Sequence, residues 1–251
     1  MDRNALDWGK IYAAAQRASA VYETDKAKAL QAFIKLNCSS LSYFSDDVAQ
    51  GMVGLCPDGI WEITIAGTRV SEGTVWQTVD DITQDAEEVF ANHYLGGGAV
   101  VASGAWMRGQ RLWVWAQQTL PLDVPVRVVG HSLGAQTTYA MLSIVPPSRY
   151  VDGIAFEGPK AGNAAFYAQY DSPKVLSVFN RQDFWAGHPL VSATLQHAPE
   201  PCLWLRDGIG SVVPAWPGPG YGRSAMQDHD VDRVVEQIAR ICAKSANTLP
   251  T

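Results

Sequence analysis

VRVVGHSLGAQTTYA, residues 126–140, runs from a short apolar stretch into an apolar helical pattern through two glycines and a serine. The pattern Gly-x-Ser-x-Gly is a moderate signal by itself, since roughly 0.1 chance matches are expected in a chain of this length at ordinary glycine and serine usage. Context makes it specific. VRVVG reads as a buried strand and AQTTYAMLSIV as a helix to about residue 145, closed by Pro146 and Pro147. A strand that enters a helix across so few residues must turn sharply, and the residue at the apex, Ser132, then projects above the strand's carboxyl end. Gly130 and Gly134 let the two backbones pass close to that residue. The helix starts beneath Ser132, where its dipole and free amides, that of Leu133 first, favour developing negative charge. Ser132 is the candidate nucleophile, against the plainer reading of a βα turn.

Outward from this turn, strands and helices alternate. Residues 5–35 carry a helical pattern through Ala14, Ala18, Val21, Tyr22, Leu30 and Phe33. IWEITIA, 60–66, alternates like a strand and ends at Gly67. Residues 99–119 read as a long helix broken by PLDVP. VDGIAF (151–156) and VLSVFN (175–180) are further strands with the helix AAFYAQY between them, and a hairpin-like stretch holds ATLQHA and PCLWLRD. PAWPGPGYG (214–222) is a loop, and VDRVVEQIARIC closes the chain as an amphipathic helix. The alternation predicts a mainly parallel sheet with helical crossovers, in one domain of 251 residues whose first 50 form a helical segment.

Composition narrows the chemistry. The chain is 47% apolar and 18% charged, with a net charge of −6, so its surface does not draw nucleic acid or anionic lipid by charge. Of nine tryptophans most are expected in the core, with the rest available to line an apolar site. Cys38, Cys56, Cys202 and Cys242 are too scattered for zinc. Buried free thiols are expected, with Cys38 and Cys56 the pair to check for a bridge. The first thirty residues contain no apolar leader and no run approaches a membrane span. The sequence therefore predicts a cytoplasmic protein, with export by another route or a missing leader left open, and is silent on oligomeric state.

A serine hydroxyl needs a base. On this scaffold the order along the chain is serine, acid, histidine. His229, after the long loop and before the last helix, takes the base's place, with His188 as runner-up. His131 adjoins the serine and should point away, supporting the turn. His93 precedes the serine, and His197 falls in a strand-like stretch. The acid that orients the imidazole should lie at a strand's carboxyl end. Asp183 follows VLSVFN by two residues and meets that condition; Asp207 is the alternative. Asp152 and Asp171 lie before their strands, while Asp228 and Asp230 flank His229 and are expected to be solvated or to cap the last helix. Thr68, just after strand 60–66, is placed to be the second oxyanion donor with Leu133.

Together IAGTR (65–69), VASGAW (101–106), VVGHSLGA (128–135), FEGPKAGNAAF (156–166), VFNRQDFWAGHPL (178–190) and a late His229 resemble the class 3, fungal-type lipases of the α/β-hydrolase fold, over residues 55–240 or so. The resemblance implies an ester hydrolase with a Ser132–Asp183–His229 triad, an oxyanion hole from Thr68 and Leu133, and no metal or cofactor. It also implies a lid at about 70–85, whose Val75 and Trp76 would meet a lipid interface; an ordinary surface helix there is the alternative. Two departures stand out. Ala66 occupies a usual arginine position, so that arginine's local bonds are missing, and Lys160 and Ala161 replace arginine and valine. Trp76, Trp185, Trp216 and Tyr221 fall in loops near the expected site edge and point to an apolar substrate. Lipase, carboxylesterase, phospholipase A and acyltransferase share this pattern. A binding or structural protein on the same scaffold is the alternative outside enzymes.

Overall fold

The computed structural model describes residues 6–67, 90–189, 192–221 and 223–246. The expected strands form the middle of an eight-stranded sheet in the order β1-β2-β3-β6-β7-β8-β9-β10. Its members are β1 (Ser39–Ser45), β2 (Gln50–Leu55), β3 (Trp61–Ile65), β6 (Val126–His131), β7 (Tyr150–Phe156), β8 (Val175–Asn180), β9 (Cys202–Arg206) and β10 (Ile209–Val213). β3, β6, β7, β8 and β9 run parallel, with antiparallel pairs at both edges. A separate hairpin joins β4 (Asn92–Gly96) to β5 (Ala99–Ala102). This is an α/β-hydrolase architecture, a mainly parallel sheet with helices on both faces.

The alternation of side chains along the strands divides the core in two. Val126 and Val128 face a cluster with Leu112, Trp113 and Ala116 of α3 (Ser103–Ala116) and with Tyr139 and Ala140 of α4 (Leu133–Ala140). Val129, Ile154, Phe156 and Val178 face the other side. There they meet Ile11, Ala14, Ala15 and Ala18 of α1 (Trp8–Ala20), and Val234, Ile238 and Ile241 of the terminal helix (Val231–Ala246). Each large aliphatic side chain so buried stabilises the fold by about 1.5–3 kcal/mol. Arg17 of α1 makes a two-pronged ion pair with Glu62 of β3, Nε–Oε1 2.6 Å and Nη2–Oε2 2.7 Å, both residues buried.

Four expectations are corrected. The helical run 5–35 is two helices, α1 and α2 (Lys26–Lys35), because Asp25 caps the second by accepting from the Ala27 and Lys28 amides. The first 50 residues are not all helical, since β1 follows a turn at Asn37 and pairs with β2 around the Asp46 turn. Residues 99–102 are a strand, not helix: four buried small or β-branched residues pair with β4 across a turn of glycines with positive φ. The late hairpin is β9 with β10 around Asp207-Gly208, whereas Gln196 of the ATLQHA stretch makes only a single bridge to Gly162. All four cysteines are free, with Cys38 Sγ and Cys56 Sγ 4.0 Å apart.

Pairing levels the strand ends. Ile65 lies opposite Gly130, His131 opposite Phe156, and Asn180 opposite Leu205. The segments after β3, β6, β7 and β8 therefore leave the sheet along one edge, and that edge is where the serine sits.

Candidate active site

Ser132 holds φ at 59° and ψ at −128°, a region that glycine enters freely and other residues only under strain, about 1–3 kcal/mol. The surrounding packing enforces it. A Cβ on Gly130 would lie 2.2 Å from the Gly134 carbonyl oxygen, and one on Gly134 would lie 2.3 Å from that of Ile65. The Ser132 amide donates to Phe156 O at 3.0 Å, while the Ala135 and Gln136 amides return to Ser132 O. Leu133 is the first residue of α4, so its amide has no acceptor within the helix.

The loops that carry the candidate base and acid bring their side chains to this turn. His229 Nε2 lies 2.7 Å from Ser132 Oγ, and its Nδ1 lies 2.6 Å from Asp183 Oδ2. Asp183 is fully buried, and its other oxygen accepts the Trp185 amide at 2.8 Å. A carboxylate facing Nδ1 puts the proton there and leaves Nε2 to accept from the serine, a tautomer assigned from the bonds. Main-chain carbonyls pin the base loop: Asn180 Nδ2 donates to Asp228 O at 2.9 Å, and His131 Nε2 donates to His229 O at 3.0 Å. Asp230 caps the terminal helix through the Asp232 amide, as one of its expected roles. Asp228 is buried rather than solvated, and that burial raises its carboxyl above the ordinary range.

The alternatives go elsewhere. His188 stacks on Trp185, and burial lowers its pKa. His197 packs edge-on against Phe179 and Trp216, with its pKa pushed down to about 4 by burial. His93 stacks on Trp106. Asp207 is exposed in the β9–β10 turn and pairs with Arg181 at 2.6 Å. Asp152 lies inside β7 near its amino end rather than before the strand, and pairs with Arg127 at 2.8 Å and with Lys10.

Three residues that sequence reading passed over support the site. Tyr22, in the break between α1 and α2, accepts the Gly67 amide at 2.8 Å and lies 2.7 Å from His131 Nδ1. Burial raises its phenol pKa, keeping the hydroxyl protonated. Glu157, immediately after β7, lies with Oε2 3.0 Å from His131 Nε2. Asn180 holds the base loop as described. The Asp25 cap was the one local hint of the break that frees Tyr22; nothing local marks Glu157. His131 is buried and burial holds it neutral, its pKa well below 6.5.

Gly67 lies against Ser132, since a Cβ built on it would come 2.6 Å from Ser132 Cβ. Thr68 and Trp76, with the whole 70–85 stretch, lie outside the described residues. Ala66 is buried in an apolar cluster with Val21 and Met52, and the bond that steadies the neighbouring Gly67 comes from Tyr22. Lys160 binds the following loop, its amide donating to His188 O at 2.8 Å and its Nζ to Pro189 O at 2.7 Å. Trp185 stands 6.4 Å from the His229 ring, and exposed Tyr221 stands 6.1 Å from Phe184. Trp216 packs instead against Phe179 at 4.9 Å, with its indole N–H on Arg181 O, a core position rather than an open wall. Among the described residues, one metal-ligand-like group occurs, His131, Glu157 and His229. Both ring nitrogens of each histidine are already engaged in the bonds above.

No family model and no curated protein matches the chain. Solved structures do. The triacylglyceride lipase of Rhizomucor miehei matches with a TM-score of 0.58 at 14% identity, over 78% of this chain and 78% of that one. A lipase from Rhizopus microsporus var. chinensis gives 0.57 at 17% identity, over 80% of this chain and 74% of its own. A triacylglycerol lipase whose catalytic centre is described as a serine protease triad gives 0.60 at 15% identity, over 83% of each chain. The chain shares the fold of the fungal triacylglycerol lipases, in agreement with the class 3 resemblance in its sequence. No helix among the described residues is long and apolar enough to cross a membrane.

Proposed function

We propose that this protein is a serine hydrolase that cleaves carboxylic esters of lipid type through an acyl-enzyme on Ser132. One observation carries the reading: the unbroken line from Ser132 Oγ through His229 to buried Asp183, at a strained strand-to-helix turn. His229 takes the hydroxyl proton as Ser132 attacks the ester carbonyl, and Asp183 stabilises the imidazolium. The Leu133 amide, and the amide of Thr68 next to Gly67, donate to the tetrahedral oxyanion, a contribution of roughly 2.7–4 kcal/mol for one donor. His229 then protonates the leaving alcohol. Water, activated by the same histidine, releases the acid and restores the serine. Each step uses only side chains and amides of the chain.

The lipid-type substrate is supported by the shared fold and by the aromatic flank of Phe184, Trp185 and Tyr221 beside His229. In this reading residues 70–85 form a lid, with Val75 and Trp76 facing lipid when it opens.

The test compares the protein with its Ser132→Ala variant on p-nitrophenyl esters of short and long acyl chains, with and without emulsion. Hydrolysis by the parent, its near-complete loss in the variant and fluorophosphonate labelling at Ser132 are expected. The chain-length profile separates esterase from lipase. An inactive parent that a fluorophosphonate leaves unlabelled would overturn the proposal in favour of a binding protein on a hydrolase scaffold.

A further inference from the structure

The strand beside that of Ser132 is followed at once by a residue the proposed reaction does not use. Glu157 has no exposed surface and holds φ at +54°, a conformation uncommon for a residue with a side chain. Its amide donates to Val178 O at 2.8 Å, which keeps the residue in step with the strand that carries the acid. Its carboxyl points into the catalytic cluster. Oε2 lies 3.0 Å from His131 Nε2, and one ligand-type atom from each of Glu157, His131 and His229 lies within 4.8 Å of the others. A buried carboxyl and a strained backbone at one residue are costs that a glycine there would avoid.

The hydrogen bonds say what the carboxyl does. His131 Nε2 faces two acceptors at 3.0 Å, Glu157 Oε2 and the His229 carbonyl. The carbonyl can only accept, so Nε2 carries the proton. Nδ1 then accepts from the Tyr22 hydroxyl, which accepts in turn from the Gly67 amide. One tautomer of His131 completes a path from the loop before Thr68 to the loop that carries the base.

We propose that Glu157 is a positioning residue of the site: its carboxylate holds the Nε2–H tautomer of His131, and so the His229 carbonyl, and its charge adds to that of Asp183 in stabilising the His229 imidazolium. This rests on the reading of Ser132, His229 and Asp183 as the catalytic triad. The ionisable groups facing Glu157 are His131 at the turn, Tyr22 after α1, Asp183 after β8, and Asp228, His229 and Asp230 in the base loop. Burial first, then Asp183, Asp228 and Asp230, push the Glu157 carboxyl well above the usual range. Its charge therefore forms at higher pH than an exposed glutamate's, and its ionisation steepens the acid limb of the activity profile.

The test is Glu157→Gln, read by ¹⁵N histidine NMR and by the pH profile of kcat/KM. Removing the negative charge is expected to move the His229 titration and the acid limb together to lower pH and to reduce the limb's slope to one proton. A kcat three- to tenfold lower with KM within twofold is also expected. Glu157→Gly, which suits the backbone angle, provides the same readings should the glutamine variant fold poorly. An unmoved His229 titration with an unmoved acid limb overturns the proposal even if esters are hydrolysed. A shifted His229 titration in a protein that hydrolyses no ester upholds the placement of Glu157 and sinks the triad reading instead.

Discussion

Tyr22 and Gly67 are joined by a hydrogen bond of 2.8 Å from the Gly67 amide to the tyrosine hydroxyl. That bond ties the break between the first two helices to the loop that leads into Thr68. Tyr22→Phe leaves the ring and removes the acceptor. A half-buried amide left without its partner costs up to about 1–3 kcal/mol, so a kcat loss of roughly two- to tenfold is expected if half of that cost appears in the transition state. KM should change little. Steady-state kinetics on a p-nitrophenyl ester decide it, and an unchanged kcat would mean that the proposed Thr68 donor does not depend on Tyr22.

Asp183 is buried, with one oxygen on His229 and the other on the Trp185 amide. Asparagine can keep one of those bonds but cannot stabilise the imidazolium. Asp183→Asn is expected to fold normally by circular dichroism and to lose about 10⁴-fold in kcat. A loss below tenfold would count against Asp183 as the acid.

Backbone strain at Ser132 gives a prediction separate from chemistry. At φ 59°, ψ −128°, Ser132→Gly relieves strain that Ser132→Ala retains. Both variants are expected to be inactive, with the glycine form more stable by about 1–3 kcal/mol. That corresponds to a Tm higher by several degrees in scanning calorimetry. Equal melting temperatures would mean that the turn is not strained.

Arg17 and Glu62 have side chains only 4% and 2% exposed, and Arg127 Nη1 lies 3.7 Å from the same carboxylate. Arg17→Met leaves the Glu62 charge buried with the Thr64 hydroxyl at 2.8 Å and a single, more distant cation, and is expected to cost about 3–5 kcal/mol, with Arg17→Met/Glu62→Leu recovering much of it. Urea titrations of the three proteins test this. A double variant no better than the single one would assign the loss to packing.

Burial lowers His131, His188 and His197 below 6.5, His197 to about 4. The unfolded chain therefore binds more protons at these sites. Their contribution to stability is whole above about pH 6.5 and is lost as pH falls through the folded-state values. Glu157 and Asp228 are raised and act in the opposite sense, their contribution being lost as pH rises through their folded values. His197→Phe is expected to flatten the fall in Tm between about pH 6.5 and 4. An unaltered slope would show that His197 already takes up its proton in the fold.

Much of the site was legible in the chain because its constraints are local. The turn at Ser132 needs a strand, a helix and two glycines within fifteen residues, and each is recognisable by pattern. Asp183 and His229 followed from chain order and from their positions after a strand and before a helix. Strand 99–102 was not legible, because the short apolar run AVVA satisfies helix and strand alike until a partner strand selects one, and strand 39–45, SSLSYFS, holds too few apolar residues to show a period. The late hairpin was assigned to the wrong partner for the same reason.

The sequence by itself determined the α/β alternation, the sharp turn at Ser132 and the order in which serine, acid and histidine arrive, since each depends on neighbours along the chain. Only the tertiary structure decided that Tyr22 reaches Gly67 across 45 positions, that His131 faces the base loop, and that Glu157 turns inward at a positive φ. Those contacts join residues far apart in the chain, and their directions are set by strand register and helix packing, which no local pattern of side chains encodes.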